Sequence, residues 1–271
     1  PSGCIAARDR AFFCDYALQY LARAGLSKDD VLRNGYLIRT TLDPKVQDSV
    51  KKAVDTVASP TAEGVASVMS VIRPGRDAHR VLAMADNRTY GLNLAAGQTV
   101  QPQPFSMVGD GAGSVFKVFT AAAAMEKGMG TDTVLSIPSN IALYGMGNSN
   151  GAFGCPPGAY CVKNDGPYPA ALPMPLALAQ SPNTAFVQLL QQVGVKPTVD
   201  MAVRLGLRSY AAPGSSGSSE QSLADYIKKG NFGSFTLGPF AVNPLELSNV
   251  AATIASGGVW CPPNPVVAIE Q

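Results

Sequence analysis

Two residues whose side chains can cooperate in nucleophilic chemistry stand three positions apart in the segment from Gly111 to Gly128. Ser114 follows a glycine-rich turn, and Lys117 comes one helical turn later in an alanine-rich run with few charges. Residues three apart lie on the same face of a helix. The pattern therefore predicts a helix that begins near Ser114 and places a hydroxyl beside an amine.

The chemistry of such a pair depends on the protonation state of the lysine. A serine hydroxyl is a weak nucleophile unless an adjacent base takes its proton, and burial lowers the pKa of a lysine so that it can be that base. The N–H groups at the start of the helix would also stabilise negative charge near Ser114. Ser114 is thus a candidate nucleophile and Lys117 its activator. The alternative is a lysine that extends from a buried helix to reach water.

The same spacing recurs at Ser49 and Lys52, but in a different context. That segment follows Asp43 and Pro44, a helix cap and a proline at the first helical position, and it alternates charged and apolar faces. We interpret Ser49 and Lys52 as residues of a solvated helix face.

Ser181 and Asn183 form a second polar pair, separated by Pro182 within an otherwise helical stretch at residues 175–194. Because proline cannot donate a backbone hydrogen bond inside a helix, we expect one helix to end near Gln180 and another to begin. Serine and asparagine are also the residues that best cap helices. Taken alone, the pair is either a structural cap or part of a site.

The surrounding chain predicts a mixture of strands and helices. Residues 36–58 read as a strand followed by an amphipathic helix, and residues 65–73 and 80–87 predict an antiparallel hairpin. Residues 131–175 show little periodicity and predict a long irregular region, a kind of segment that is usually functional.

The composition is that of a globular protein. The chain has 271 residues, of which 46% are hydrophobic, so it can build one large domain or two small ones. A net charge of only +2, without a basic stripe interleaved with aromatic residues, argues against nucleic acid as a partner. No apolar run approaches the roughly 18 residues that a membrane span needs.

The cysteines point to an oxidising compartment. Cys4 and Cys14 bracket one short segment and Cys155 and Cys161 another, so each pair could close a small disulfide loop. Cys261 is left over, and its partner could lie outside these 271 residues. With a single histidine, His79, and no C-x-x-C pair, a metal site is not expected.

In combination, these segments resemble the transpeptidase domain of class A, bifunctional penicillin-binding proteins, in particular those of actinobacteria. S-x-x-K at Ser114 followed by S-x-N at Ser181 is the ordered motif pair of penicillin-binding proteins and class A β-lactamases. The stretches TTLDPKVQDSVKKAV, VLAMADNRTYG and LGPFAVNPLELSNVAATIASGGVWCPP are also similar, and the resemblance spans nearly all of residues 36–265. It implies a mixed α/β fold of the serine β-lactamase and penicillin-binding-protein kind, with an antiparallel sheet flanked by helices and a helical lobe. Residues 1–35 would be a linker or pedestal, and residues 36–271 the N-terminal portion of the transpeptidase domain.

The resemblance also implies roles for the four polar residues. Ser114 would be the acylated nucleophile and Lys117 its base, Ser181 would relay a proton to the leaving group, and Asn183 would hold the incoming peptide. A peptidoglycan stem peptide ending in D-Ala-D-Ala would acylate Ser114, D-alanine would leave, and the amine of a neighbouring stem peptide would form the cross-link. β-Lactam antibiotics would trap the same ester, and no cofactor is implied. In its full-length form the protein would be membrane-anchored behind an upstream glycosyltransferase domain and would act on the extracytoplasmic, cell-wall side.

One motif of the family has no counterpart in the sequence. K-[ST]-G on a strand is absent, since Lys196-Pro197-Thr198 and Lys228-Lys229-Gly230 lie outside strand-like runs and lack the spacing. We expect that the chain stops before this motif and is the N-terminal portion of a longer domain; a degenerate, non-catalytic relative is the alternative. A serine β-lactamase or D,D-carboxypeptidase, and a non-catalytic β-lactam-binding sensor or peptidoglycan-binding scaffold, are the other functions compatible with the sequence.

Overall fold

The computed structural model describes residues 3–147, 149, 153–218 and 220–270. These residues form two compact units. The first comprises the described residues up to Gly109 and from Val242 onward, and the second runs from Asp110 to Ala241. Residues 148 and 150–152, in the predicted irregular region, lie outside the described residues. Within the described ranges, no helix combines the length and the apolar character that a membrane crossing requires.

Helices and strands are both distributed along the chain, mostly in consecutive runs of one kind. The helices, in chain order, are α1 Ala11–Arg23, α2 Lys28–Arg33, α3 Pro44–Val57, α4 Lys117–Glu126, α5 Met174–Gln180, α6 Asn183–Val193, α7 Val195–Leu205, α8 Leu223–Gly230 and α9 Pro244–Ala255. The strands are β1 Leu37–Thr40, β2 Val68–Arg73, β3 His79–Asp86, β4 Thr89–Tyr90, β5 Gln98–Thr99, β6 Val134–Ser136, β7 Asn140–Tyr144, β8 Ala159–Lys163, β9 Ala171–Pro173, β10 Pro263–Asn264 and β11 Val266–Glu270.

The first unit is built on the antiparallel pair of β2 and β3. Strand β10 adds to the start of β3 in parallel, and β1 pairs with β11 in a separate antiparallel ladder. The predicted hairpin is confirmed. So are the strand and the amphipathic helix predicted for residues 36–58, which correspond to β1 and α3.

Alternate side chains of β3 face helices on opposite sides of the sheet. Ala83 packs in one cluster with Val50 of α3, whereas Met84 packs in another with Phe12 of α1 and Leu245 of α9. This arrangement follows from the two-residue period of a strand, which turns successive side chains to opposite faces. The small alanine lets α3 approach the sheet closely.

The N-terminal segment is part of the same core. Phe13 and Tyr16 of α1 are buried in the cluster that contains Met84, and the disulfide between Cys4 and Cys14 ties the start of the chain to α1. The predicted pairing of these cysteines is therefore confirmed. The division at residue 35 between a linker and a domain stays a prediction.

The second unit is a helical lobe centred on α4. Helices α5, α6 and α7 contact α4, whose alanines pack against larger side chains such as Phe186 and Leu189 of α6 and Met201 of α7. Alanine has high helix propensity and presents little bulk. A helix rich in alanine can therefore be surrounded on several sides, which explains its low charge.

Residues 131–175 contain more regular structure than the sequence predicts. Strand β6 pairs with β9 and β7 pairs with β8, both antiparallel, and the disulfide between Cys155 and Cys161 closes the turn that leads into β8. The disulfide pairing is confirmed, but the prediction of an irregular region was wrong. Strands of three to five residues are too short for a two-residue period to be recognised.

A buried glutamine joins α3 to β3 in the first unit. The side chain of Gln47 is fully buried; its Nε2 donates to the carbonyl oxygens of Asp9 (2.7 Å) and Met84 (2.9 Å), and its Oε1 accepts from the N–H of Met84 (2.9 Å). Without Gln47, the N–H and the carbonyl oxygen of Met84 would be buried polar groups that lack this hydrogen-bond partner. Gln47 thus takes the hydrogen-bonding place that a neighbouring strand would have at this point of β3.

We expect Gln47→Leu to lower the free energy of unfolding by about 2–4 kcal/mol, because it leaves buried backbone groups unpaired while the side-chain volume is kept. Urea unfolding followed by circular dichroism measures the change. Gln101→Leu, at an exposed position, is the matched control and should change stability by less than about 0.5 kcal/mol. Equal losses in the two variants would contradict the proposed role of Gln47.

Candidate active site

The turn before Ser114 lies against a second segment of backbone with no room for side chains. Gly111 forms an antiparallel bridge with Ala241, and the N–H of Gly113 donates to the carbonyl oxygen of Gly238 at 3.1 Å. A Cβ atom on Gly111 would overlap the Gly238 carbonyl, and one on Gly238 would overlap Gly113. Gly113 also has a positive φ of 60°, which glycine adopts at little cost. The glycines therefore fix the position from which the following helix starts.

The helix begins as a 3₁₀ turn over Gly113–Phe116 and becomes α-helical at Lys117. Ser114, in the first turn, is exposed, whereas Lys117 is fully buried. The N–H of Ser114 belongs to the first-turn amides that have no acceptor within the helix. The start of the helix therefore presents a hydroxyl and a free backbone donor at the surface, with an amine beneath them.

An aromatic cluster holds this helix start in place. The ring of Phe116 lies 5.2 Å from Phe119, 5.4 Å from Phe235 and 6.2 Å from Tyr210, measured between centroids. Tyr210 in turn donates its hydroxyl hydrogen to the carbonyl oxygen of Ala241 at 2.8 Å. Sequence reasoning did not single out Phe235, Tyr210 or Gly238, because no local pattern links them to Ser114.

The amine of Lys117 is the point at which the four candidate residues meet. Its Nζ lies 3.0 Å from Ser114 Oγ, 2.8 Å from Ser181 Oγ, 2.6 Å from the Ser181 carbonyl oxygen and 2.8 Å from Asn183 Oδ1. The structure thus brings together all four side chains that the sequence suggests. In the described part of the chain, no carboxylate contacts this amine.

Burial lowers the pKa of Lys117 to about 8, because the charged form loses hydration inside the protein. The ring of Phe186 forms part of the apolar surroundings, with its centroid 5.8 Å from Nζ. A neutral amine has two hydrogens and one lone pair. The Ser181 carbonyl and Asn183 Oδ1 can only accept, so they take the two hydrogens and leave the lone pair to receive the proton of a serine hydroxyl. This arrangement suits a base.

Ser181 adopts a left-handed backbone conformation, with φ 63° and ψ 39°, at the junction between α5 and α6. Helix α5 ends at Gln180 and α6 begins at Asn183, so the predicted interruption at Pro182 is confirmed. Left-handed geometry is unfavourable for a residue other than glycine, and such strained residues cluster at active sites and ligand-binding segments. Here it lets the carbonyl and the hydroxyl of the same residue both reach Lys117.

The structure also distinguishes Ser114 and Lys117 from the other sequences that resemble family motifs. Ser49 donates its hydroxyl hydrogen to the carbonyl oxygen of Lys45 at 2.8 Å, and both Ser49 and Lys52 are exposed, which confirms a solvated helix face. Lys196 and Lys228 lie in α7 and α8, so neither begins a strand motif. Among the described residues, no group of three His, Cys, Asp or Glu side chains could hold a metal ion.

Comparison with known proteins identifies the family whose sequences this chain matches. The model of the penicillin binding protein transpeptidase domain matches residues 77–271. The chain is 28% identical over 252 residues to the peptidoglycan D,D-transpeptidase PbpA of Mycobacterium tuberculosis, covering 86% of this chain and 49% of that protein. It therefore spans about half the length of this curated relative.

Two solved structures from Mycobacterium tuberculosis share the fold. The penicillin-binding protein PonA1 superposes with a TM-score of 0.67 at 21% identity, covering 95% of this chain and 61% of that one. Penicillin-binding protein A, solved as a penicillin G acyl-enzyme complex, gives a TM-score of 0.63 at 22% identity over 86% of this chain and 55% of that one. The expected mixed α/β fold is confirmed, and the chain belongs to the penicillin-binding protein transpeptidase domain family.

Proposed function

We propose that this chain carries the catalytic serine, its base and the second motif of a D,D-transpeptidase that cross-links peptidoglycan stem peptides and is inhibited by β-lactams. The observation that supports it most directly is the buried Lys117 amine, 3.0 Å from the exposed Ser114 hydroxyl and in contact with both residues of the second motif. A curated relative is named peptidoglycan D,D-transpeptidase, and a protein of the same fold forms an acyl-enzyme with penicillin G.

In the acylation step, Ser114 Oγ attacks the carbonyl carbon of the amide that joins the last two D-alanine residues. The Oγ proton passes to the neutral amine of Lys117, an ester bond forms, and the C–N bond breaks. The leaving amine of D-alanine receives a proton through Ser181, whose hydroxyl lies 2.8 Å from Lys117 Nζ. The N–H of Ser114 is one of the donors that would stabilise the negative charge on the carbonyl oxygen.

The transfer step reverses this proton movement with a different amine. The amine of a second stem peptide attacks the ester carbonyl, a new C–N bond forms, and the bond to Ser114 Oγ breaks. The proton of the incoming amine returns to Ser114 by way of Lys117. Asn183 is the side chain we assign to holding the incoming peptide, through the amide that also contacts Lys117.

The cellular setting of the reaction is outside the cytoplasm, where transpeptidase domains of this family act on peptidoglycan. The two disulfides are consistent with such an oxidising environment. Similarity to PonA1 supports, as part of the proposal, a full-length protein that is membrane-anchored and has an upstream glycosyltransferase domain.

Turnover of a D-Ala-D-Ala peptide distinguishes the functions that share this chemistry. With the protein expressed from its complete reading frame, we expect release of D-alanine together with an amine-dependent cross-linked product, resolved by mass spectrometry. Release into water alone would favour a carboxypeptidase or β-lactamase. Retained penicillin binding without any turnover would favour a sensor or scaffold.

We expect the unaltered protein to gain the mass of one intact penicillin molecule, because opening the lactam ring by Ser114 loses no atoms. Ser114→Ala should abolish this covalent adduct. Denatured intact-mass spectrometry after incubation with penicillin G measures it. Ser49→Ala, at the second S-x-x-K sequence, is the matched control and should keep the full adduct. An adduct that persists in Ser114→Ala would contradict the assignment.

The rate of acylation should depend on pH through Lys117. Because only the neutral amine can accept a proton and its pKa is about 8, the rate should rise about tenfold per pH unit below 8 and level off above it. A fluorescent penicillin followed by stopped flow between about pH 5.5 and 9.5 measures this profile on both sides of the pKa.

Replacing Lys117 tests its role as the base independently of the pH profile. Lys117→Met should slow acylation by about a hundredfold to ten-thousandfold, the usual contribution of a general base. Lys52→Met should acylate at the normal rate, since that lysine is exposed on a solvated helix. A flat pH profile in the unaltered protein, with a small effect of Lys117→Met, would argue against Lys117 as the base.

A further inference from the structure

The end of β8 meets the start of α6 through side-chain hydrogen bonds. The carbonyl oxygen of Lys163 accepts from Asn183 Nδ2 at 3.3 Å, and Asn164 Oδ1 accepts from the backbone N–H of Thr184 at 3.0 Å. Lys163, the last residue of β8, and Asn164, the residue that follows it, therefore bind the first two residues of α6. Because Asn183 donates through Nδ2 here, its Oδ1 is directed to Lys117.

Asn164 also fixes the side chain of Thr184. Its Nδ2 donates to Thr184 Oγ1 at 3.0 Å and to the carbonyl oxygen of Pro138 at 3.1 Å, and Thr184 Oγ1 in turn lies 2.8 Å from the same carbonyl. Thr184 is fully buried. Asn164 thus links the end of β8, the segment before β7 and the first turn of α6 in one closed network.

The hydrogen bonds of Asn164 compensate for a missing helix cap at the start of α6. The first-turn amides of a helix lack acceptors within it, and a serine or asparagine at the start of the helix usually supplies one. At α6 no such cap forms, because the N-cap residue is Pro182, and the side chains of Ser181 and Asn183 are directed to Lys117. Asn164 supplies the missing acceptor from a different element.

We propose that Asn164 is a positioning residue for acylation: by capping α6 from outside, it holds Asn183 in contact with Lys117 and leaves that side chain free for the site. The inference rests on the proposed function. Asn164 contacts none of the reacting groups and acts through Thr184 and Asn183. Lys163 and Asp165, the charged residues on either side of Asn164, are exposed.

The test compares Asn164→Ala and Asn164→Asp with the unaltered protein, each expressed from its complete reading frame and normalised to folded protein. Stopped-flow acylation by a fluorescent penicillin gives the rate and its pH midpoint. Asn164→Ala should slow acylation about tenfold to a hundredfold, because a displacement of a catalytic group by about 1 Å can reduce a rate by as much as about a hundredfold. Asn164→Asp should also raise the pH midpoint above that of the unaltered protein, because an added carboxylate favours the charged form of Lys117.

Asn140 provides matched controls. It lies opposite Lys163 in the β7–β8 ladder, is exposed, and its side chain donates only to Ser139 Oγ in the described hydrogen-bond network. Asn140→Ala and Asn140→Asp make the same chemical changes on the neighbouring strand, and both should retain the rate and the midpoint of the unaltered protein.

A double variant tests whether Asn164 acts through Thr184, and the stability of the Asn164 variants separates a positioning role from a purely structural one. Thr184→Val removes the hydroxyl but keeps the backbone N–H that Asn164 binds, so combining it with Asn164→Ala should reduce the rate by less than the product of the two single effects. Asn164 variants that are less stable but acylate at the normal rate and midpoint would overturn the inference. No acylation in the unaltered protein would instead contradict the proposed function, and the inference with it.

Discussion

The constraint on which the second unit depends is an amine that is kept away from water beside a hydroxyl that is exposed to it. Lys117 is fully buried and Ser114 is not, although they are one helical turn apart. Burial of a lysine is unfavourable unless its hydrogens are accepted, and here the acceptors are the Ser181 carbonyl and Asn183 Oδ1. The same burial lowers the pKa of the amine to about 8, so the unfavourable desolvation also favours the neutral form of the amine closer to neutral pH.

Several features of the lobe are understandable as ways to maintain that arrangement. The alanines of α4 let neighbouring helices pack closely around it, and the ring of Phe116 anchors its first turn among Phe119, Phe235 and Tyr210. The turn at Gly111 and Gly113 lies so close to Gly238 that neither Gly111 nor Gly238 could carry a side chain. These contacts restrict rotation and translation of the helix start, which is the motion that would separate Ser114 from Lys117.

The second motif is held by an exchange of hydrogen-bonding partners. In an ordinary junction, Ser181 and Asn183 would accept hydrogen bonds from the first backbone amides of α6. Here their side chains contact Lys117, and Asn164 accepts the hydrogen bond from the backbone N–H of Thr184 instead. The cost is a left-handed backbone at Ser181. In the structure both side chains contact the amine of Lys117, and the acceptor for the first turn of α6 comes from Asn164, the residue after β8. The nearby disulfide between Cys155 and Cys161 restrains the turn that leads into that strand.

The relations that depend on local geometry can be read from neighbouring residues in the amino-acid sequence. The one-turn spacing of Ser114 and Lys117, the break between α5 and α6 at Pro182, the β2–β3 hairpin and the two short disulfide loops are of this kind, and all are present. The contacts that these local features make with distant parts of the chain depend on the tertiary structure. The contact of Lys117 with Ser181, the approach of Gly238 to Gly113, the short strands β6 to β9 and the network of Asn164 join segments far apart in the chain. The physical reason is that these contacts depend on packing. The packing of the whole lobe decides which face of each helix is buried and which backbone groups then need hydrogen-bond partners, and it leaves no periodic signal in any one segment.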